Sequence, residues 1–337
     1  MAAPHDRMNI AVLGAGAWGS ALAVHFAARH DLTLWTRSAA HAQAMAAAQE
    51  NARYLPGIRL PASLKVSHRL DQALQDADLL LVAVPSGALR GLLGQLAEQG
   101  AKRPLIWVCK GFEEGSGKLP HEIVAETLPD SPSGVLSGPS FAIEVAQGLP
   151  TAMTLASHHP LITGDIAPRL HGGTLRIYTS EDVIGIELGG AVKNVIAIAA
   201  GISDGLGFGH NARAALITRS LAEITRLGLA LGGHLETFMG LSGMGDLILT
   251  CTGDLSRNRQ VGLRLAQGES LQNIIASLGH VAEGVTTAPE VLRLAERHGV
   301  DMPITRAVSR VLYEHLPPRQ AVEELLHRNQ KAEAARP

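Results

Sequence analysis

The chain has 337 residues, 46% hydrophobic and 18% charged, with 36 glycines and a formal net charge of −2. That length allows two domains, and the composition is that of a folded α/β or α protein, not a disordered one. The near-neutral charge, without any Lys/Arg block, argues against nucleic acid or a membrane surface as partner. Two cysteines, Cys109 and Cys251, make neither a disulfide framework nor a zinc motif and fit a reducing cytoplasm.

Residues 8–13, MNIAVL, are an apolar run ending at glycine, as expected of a buried parallel strand. The start could pass for a signal peptide, but Gly14, Gly16, Trp18 and Gly19 break the apolar run, and strand, turn and helix fit it better. No apolar stretch is expected to reach the roughly 18 residues that span a bilayer. GSALAVHFAARH reads as a helix and DLTLWTR as the second strand, followed by a polar helix and the irregular segment ENARYLPGIRLPASLKV, which contains Tyr54. DADLLLVAVPS (76–86) is a strand running into a Pro-Ser turn, and RPLIWVCKGFEE (103–114) repeats the pattern, with the strand ending at Lys110. SGVLSGPSFAIEVAQG (133–148) gives a strand, a turn at Gly138-Pro139-Ser140 and a helix; TAMTLAS and TLRIYTS read as the last strands. This alternation predicts a doubly wound sheet.

After about Ile184 the strand signals stop. Helices are predicted over 187–200, 211–230, 235–240, 257–267, 270–278, 286–298, 303–315 and 318–327. The change of period puts a domain boundary near 183, with a dinucleotide-binding domain over 1–183 and an all-α substrate and dimerisation domain over 184–337. The tail HRNQKAEAARP is polar and is expected to fray.

GAGAWG is G-x-G-x-x-G at Gly14, Gly16 and Gly19, placed after an apolar strand and opening a helix, the context that gives this motif meaning. Gly14 permits the turn, Gly16 lets a pyrophosphate approach, and Gly19 lets helix and strand pack; the helix N-terminus offers free N–H groups to the phosphates. About 20 residues on, where an NAD site places a carboxylate, stand Thr36 and Arg37. A guanidinium suits a 2′-phosphate, so NADPH should be accepted, unless Arg37 only stacks on the adenine. Pro85-Ser86, Lys110 and Gly138-Pro139-Ser140 each follow an apolar run and should line the carboxyl edge, where ligands of open α/β sheets bind.

Within ELGGAVKNVIAIAAGI (187–202) stand Lys193 and Asn194. An ammonium in a buried helix is costly unless it is paired or does chemistry; the plainer alternative is a rim position, stem packed and head in water. In LSGMGDLILTCTGDLSRNRQVG (241–262), Ser256 stands at an N-cap, followed by Arg257 and Asn258. A hydroxyl, a guanidinium, an amide and a helix terminus could hold a phosphate or carboxylate there, or be no more than a capped helix. Asp246 lies in the Gly-flanked turn GMGDL.

The stretches GAGAWGSALA, VAVPS, KGFE, SGPSFAIEVAQGLPTA, ELGGAVKNVIAIAAGISDGLGFGHNARAALITR, SGMGDLILTCTGDLSRNRQVG and VAEGVTTA run from residue 8 to about 310. Together they closely resemble the bacterial-type NAD(P)-dependent glycerol-3-phosphate dehydrogenases. The resemblance implies a Rossmann domain followed by an all-α domain of the 6-phosphogluconate-dehydrogenase-like kind. It also implies hydride exchange between sn-glycerol 3-phosphate and dihydroxyacetone phosphate with NADP or NAD, supplying glycerol 3-phosphate for glycerophospholipids, in a cytoplasmic enzyme that is usually a homodimer. By motif match, Lys193 falls at the proton donor and acceptor position, and Asp246 is expected to take part in catalysis by orienting the ammonium or the substrate hydroxyls. Ala17, Trp18, Arg37, Lys110, Ala142, Arg257, Val281 and Glu283 fall at cofactor positions. Lys110, Gly138, Ser140, Lys193, Asp246, Ser256, Arg257 and Asn258 fall at substrate positions. No residue is expected to ligate a metal, since the histidines lack ligand spacing. Two other readings stay open at this point: a lysine-dependent keto acid reductase of the same fold, with Arg257 binding a carboxylate, and a non-enzymatic NAD(P)H sensor that keeps the glycine turn without needing Lys193, Asp246 and Arg257 together.

Overall fold

The structure, a computed structural model, describes residues 7–100, 102–278 and 282–327. The frayed tail expected from the sequence begins at His327 and otherwise lies outside the described residues.

In the N-terminal half, strands β1 (Asn9–Leu13), β2 (Asp31–Trp35), β3 (Lys65–Ser67), β4 (Leu79–Val82), β5 (Leu105–Trp107), β6 (Ser133–Ser137), β7 (Thr151–Ala156) and β8 (Leu175–Ser180) alternate with helices. These are α1 (Ala17–Phe26), α2 (Ala39–Ala48), α3 (Leu70–Leu74), α4 (Ser86–Glu98), α5 (Pro120–Thr127), α6 (Ala142–Ala146) and α7 (Ala167–Leu170), the last preceded by a π-helical turn over Leu161–Ile166. The C-terminal half holds α8 (Val183–Gly205), α9 (Gly209–Ala230), α10 (Leu235–Met239), α11 (Asp246–Thr252), α12 (Arg257–Ala266), α13 (Leu271–Leu278), α14 (Glu283–Arg297), α15 (Pro303–Tyr313) and α16 (Pro318–Leu326). A second π-helical turn, Leu241–Gly245, leads into α11.

The strands form one sheet in the order β3-β2-β1-β4-β5-β6-β7-β8. The order reverses beside β1, so the switch point lies between β1 and β4. Ile10 and Val12 pack with Leu22 and Phe26 of α1, while Ala11 and Leu13 pack with Leu89 and Leu93 of α4. Both faces are covered, which is why the strands read as continuous apolar runs rather than alternating ones. Trp35, Leu13, Val82, Trp107 and Val135 pair in one row across the sheet. The loops beyond that row therefore emerge together at one edge.

The structure adds one feature to the doubly wound sheet and corrects three expectations. First, the addition: β7 runs antiparallel to β6, and β8 is parallel to β7. Helix α6 has five residues, about 7 Å at 1.5 Å per residue, too short to return the chain along a strand of about 17 Å. Second, β5 ends at Trp107, not Lys110, so Lys110 sits in the loop past the edge. Third, the segment read as irregular supplies an edge strand, β3, of three residues, with α3 soon after. Fourth, α8 has 23 residues and contains an 18-residue window with a mean hydropathy of 1.6, long and apolar enough to cross a membrane, but 89% of that window is buried inside the protein.

Helix α8 is apolar all round because helices surround it. Leu188, Val192 and Ile196 face one cluster with α9, α11 and α14, while Val195, Ile198 and Ile202 face another with α12 and α15. The Asp182 carboxylate caps its start, accepting from the backbone N–H of Gly185 and of His234, both at 2.8 Å. At its far end α8 crosses α12 at backbone contact: a Cβ on Gly201 would lie 2.0 Å from the Arg259 carbonyl oxygen, and one on Gly262 2.0 Å from that of Ile198.

Gly201→Val cannot be absorbed by a rotamer change, because the obstacle is backbone. It should cost about 3 kcal/mol or more, read as a lower urea midpoint in equilibrium unfolding.

Candidate active site

The first loop at the sheet edge is the glycine turn. Gly14 adopts φ +123°, which only glycine takes readily, and a Cβ there would stand 2.6 Å from the Ala83 carbonyl oxygen at the end of β4. A Cβ on Gly19 would meet the Gly14 oxygen at 2.0 Å, whereas one on Gly16 meets nothing within 4 Å. The outer two glycines are thus forced by packing, and the middle one is left open to solvent. Gly16 stands at the N-cap of α1 without a side-chain cap, so the first N–H groups, from Ala17 onward, are available to an anion. Trp18 Nε1 and Ser86 Oγ, each at the start of a helix that leaves this edge, are buried without a hydrogen-bond partner among the described residues. A dinucleotide fits such a cradle at the switch point of the sheet. Arg37 lies exposed two residues past the end of β2, whose Trp35 carbonyl accepts from Gly14 N at 3.0 Å.

The second group of residues centres on Asp246. It is fully buried as the first residue of α11, aimed by the π-helical turn before it. Asp246 therefore begins a helix, correcting its expected place in a turn. Lys193 Nζ donates to Asp246 Oδ1, and Lys110 Nζ donates to Oδ2 at 2.7 Å and to the Gly138 carbonyl at 3.1 Å. Ser140 Oγ donates to that same carbonyl at 3.0 Å. Thr250 Oγ1 donates to the Asp246 backbone oxygen at 2.6 Å. Lys193 is 6% exposed. Burial lowers its pKa to about 8, helped by the like charge of Lys110 and opposed by Asp246. Two ammoniums share one carboxylate, so this group of three carries one more positive charge than negative.

The third group ties the helical half together. Asn258 Nδ2 donates to Asn194 Oδ1 at 3.0 Å, and Asn258 Oδ1 accepts from Gly284 N at 3.0 Å. Asn258 is thus occupied inside the protein. Ser256 caps α12, accepting from Arg259 N at 3.3 Å. Arg257, the first residue of α12, is exposed. The next residue before Gly284, Glu283, opens α14; its carboxyl accepts from the Ser86 backbone N–H. Burial raises the Glu283 pKa, against the positive charges of Arg257, Lys110 and Lys193.

Lys110, Gly138, Ser140, Lys193 and Asp246 are therefore joined by hydrogen bonds, and Glu283 and Arg257 lie within electrostatic reach of them. Gly14, Gly16, Ala17, Trp18 and Gly19 form the turn at the switch point. Ala142 opens α6, which packs against α1. Val281 lies outside the described residues. Sequence reading passed over Asn51, which is buried and whose Nδ2 donates to the Ala15 carbonyl at 3.0 Å and to Ser20 Oγ at 2.7 Å. Asn51 braces the glycine turn from the segment that also carries Tyr54, and an asparagine in an irregular stretch gives no periodic signal.

Two family models cover most of the chain: the NAD-dependent glycerol-3-phosphate dehydrogenase N-terminus matches residues 9–162, and the C-terminus of the same family matches residues 182–323. A glycerol-3-phosphate dehydrogenase [NAD(P)+] of Thiobacillus denitrificans is 59% identical over 327 residues, covering 97% of this chain and all of that protein. One from Aromatoleum aromaticum is 58% identical, again covering 97% of this chain and all of the relative. The crystal structure of glycerol-3-phosphate dehydrogenase from Coxiella burnetii superposes with a TM-score of 0.92 at 44% identity, covering 96% of this chain and all of that one. With its glycine turn at the switch point and its paired lysines at the sheet edge, the chain belongs to the NAD(P)-dependent glycerol-3-phosphate dehydrogenase family.

Proposed function

We propose that this chain interconverts dihydroxyacetone phosphate and sn-glycerol 3-phosphate, with Lys193 moving the proton. The observation that carries this reading is the Asp246 carboxylate shared by Lys193 and Lys110 at the carboxyl edge of the sheet. NAD(P)H, when bound, supplies the hydride. As the C2 carbonyl is reduced, negative charge gathers on its oxygen, and a Lys193 ammonium within hydrogen-bond reach both stabilises that charge and delivers the proton. In the reverse direction the neutral amine takes the hydroxyl proton. Asp246 holds both lysines, and Lys110, braced on the Gly138 carbonyl, keeps a second cation beside the substrate oxygens. Arg257, exposed at the N-terminus of α12, would grip the phosphate with the helix terminus behind it. Ser256 and Asn258 set that terminus, one by capping it and the other through Asn194 and Gly284.

On the cofactor side, Gly14, Gly16, Ala17, Trp18 and Gly19 would receive the pyrophosphate, Glu283 and Ala142 would line the cleft, and Arg37 would favour a 2′-phosphate, so NADPH is accepted alongside NADH. Residues 1–183 serve as the dinucleotide domain and 184–337 as the substrate and dimerisation domain. The chain acts in the cytoplasm as a homodimer, supplying glycerol 3-phosphate for glycerophospholipids. Exposed apolar side chains on the helical half, among them Phe208 and Leu229, support a second copy as partner.

Lys193→Ala should fold and bind NADPH nearly as the parent does, while steady-state turnover of dihydroxyacetone phosphate falls by at least about 100-fold. Near-parental turnover removes Lys193 from the reaction. Reduction needs the ammonium, so its rate should fall as pH rises through about 8; oxidation needs the amine, so its rate should rise through the same value. Asp246→Asn deletes the charge that holds this pKa up, and the alkaline limb of the reductive pH profile should move to lower pH. Arg257→Ala should raise KM for dihydroxyacetone phosphate far more than it changes the unfolding midpoint; an unchanged KM excludes the phosphate grip.

A further inference from the structure

The face of α8 that meets the sheet edge starts before Lys193. Glu187, Gly190 and Asn194 are spaced three and four residues apart and so share one side of the helix. Glu187 is 4% exposed. Its Oε1 accepts from Trp107 Nε1 at 2.7 Å and from the His121 backbone N–H at 3.0 Å, and its Oε2 lies 2.5 Å from His121 Nδ1. Trp107 is the last residue of β5, and His121 stands in the first turn of α5. One carboxylate of the helical half therefore clamps both ends of the loop 108–119, which carries Lys110. One turn along, α8 has glycine where that loop crosses it: a Cβ on Gly190 would lie 2.9 Å from Ser137 Oγ and 3.6 Å from Lys110 Cγ and Cδ. The next turn delivers Lys193 to the carboxylate that Lys110 also uses.

We infer that Glu187 is a positioning residue for the reaction, fixing the Lys110 loop against α8 so that Lys110 and Lys193 meet at Asp246. The chemistry itself does not call on Glu187, which touches neither ammonium. A buried carboxylate is costly to keep, and apolar side chains of similar size often serve stability as well or better. What an apolar side chain cannot do is hold an indole N–H, a backbone N–H and an imidazole at once, each at a fixed angle. Misplacing a catalytic group by about 1 Å costs up to about 100-fold in rate, so a clamp on the loop reaches turnover without touching substrate.

The inference rests on the placement of Lys110 in the site, and a double-mutant cycle separates the two. Glu187→Ala should lower kcat/KM for dihydroxyacetone phosphate by at least about tenfold, while the NADPH dissociation constant, read from nicotinamide fluorescence, stays within about twofold because the glycine turn is not part of the clamp. Glu187→Gln, which keeps the acceptor for Trp107 and the His121 N–H, should recover most of that loss. In a Lys110→Met background Glu187→Ala should cause no further loss. Should Glu187→Ala fail to fold, Trp107→Phe, which removes one hydrogen bond, is read the same way. A parental kcat/KM in Glu187→Ala, or losses that multiply in full in the double variant, would overturn the inference. A parental kcat/KM in Lys110→Met would instead sink the placement of Lys110, and this inference with it.

Discussion

The site depends on one buried carboxylate holding two ammoniums. Asp246 is fully buried, and Lys193 nearly so. Taking three charges out of water costs several kcal/mol per ion before any attraction is counted, and within this group of three one positive charge is left over. Such an arrangement would be a poor way to stabilise a fold. It is a good way to build a site for a substrate that brings its own negative charge, because the missing counter-charge then arrives with the ligand. The three charges also come from three places in the chain: the loop after β5, the middle of α8 and the start of α11. The triad can form only when the sheet and the helical half are docked, so the same interaction links folding to function.

That docking explains the composition around it. Helix α8 runs through the centre of the helical half, and its glycines mark where other backbones touch it. A Cβ on Gly189 would lie 2.6 Å from the Ser242 oxygen, in the π-helical turn that leads to Asp246; Gly190 underlies Lys110; Gly201 underlies α12. Close backbone approach on several sides needs small residues, and a helix buried on all sides needs apolar ones. Between them these demands produce the Ala, Gly, Ile and Val run in which Lys193 and Glu187 stand out. Length and hydropathy alone would also describe a membrane span; what distinguishes α8 is that its apolar surface is already covered.

Much of this was legible beforehand, for identifiable reasons. The glycine turn was readable because Gly14 and Gly19 each answer a steric demand while Gly16 leaves the start of the helix open, and that order is the motif itself. Lys193 was readable because a charge in an apolar helix is expensive enough to require an explanation. The sense of β7 and β8 was not readable, since apolar periodicity is the same for either direction. The sequence puts the end of β5 three residues too late because VCK continues the apolar run, although after Val108, which still donates to the Val82 carbonyl at 3.0 Å, the chain leaves the ladder. Asp246 was read as part of a turn because Gly-Met-Gly-Asp has turn composition, whereas the chain there forms a π-helical turn and passes directly into α11. Asn258 was expected to reach toward a ligand, but its partners, Asn194 and Gly284, lie 64 and 26 residues away in the chain. No local pattern carries that information.

The position of the Lys193 pKa follows from the same geometry. Burial alone would drive a lysine far down, leaving a neutral amine that could accept a proton but seldom give one. A closely paired carboxylate alone would hold the ammonium so firmly that it could give but seldom accept. Here burial and the neighbouring Lys110 push down while Asp246 pushes up, and the balance settles at about 8. Near neutrality most of the lysine is then protonated, while a useful fraction is not. An enzyme that exchanges a ketone for an alcohol in both directions needs one group able to serve as acid one way and base the other, and matching its pKa to the working pH is what makes that possible. Lys110 therefore has two effects at once: it adds positive charge where the proposed reaction places the substrate, and it keeps Lys193 from being too strongly basic. Both effects depend on the short distance between the two lysines, which is set by the docking of the β5 loop against α8.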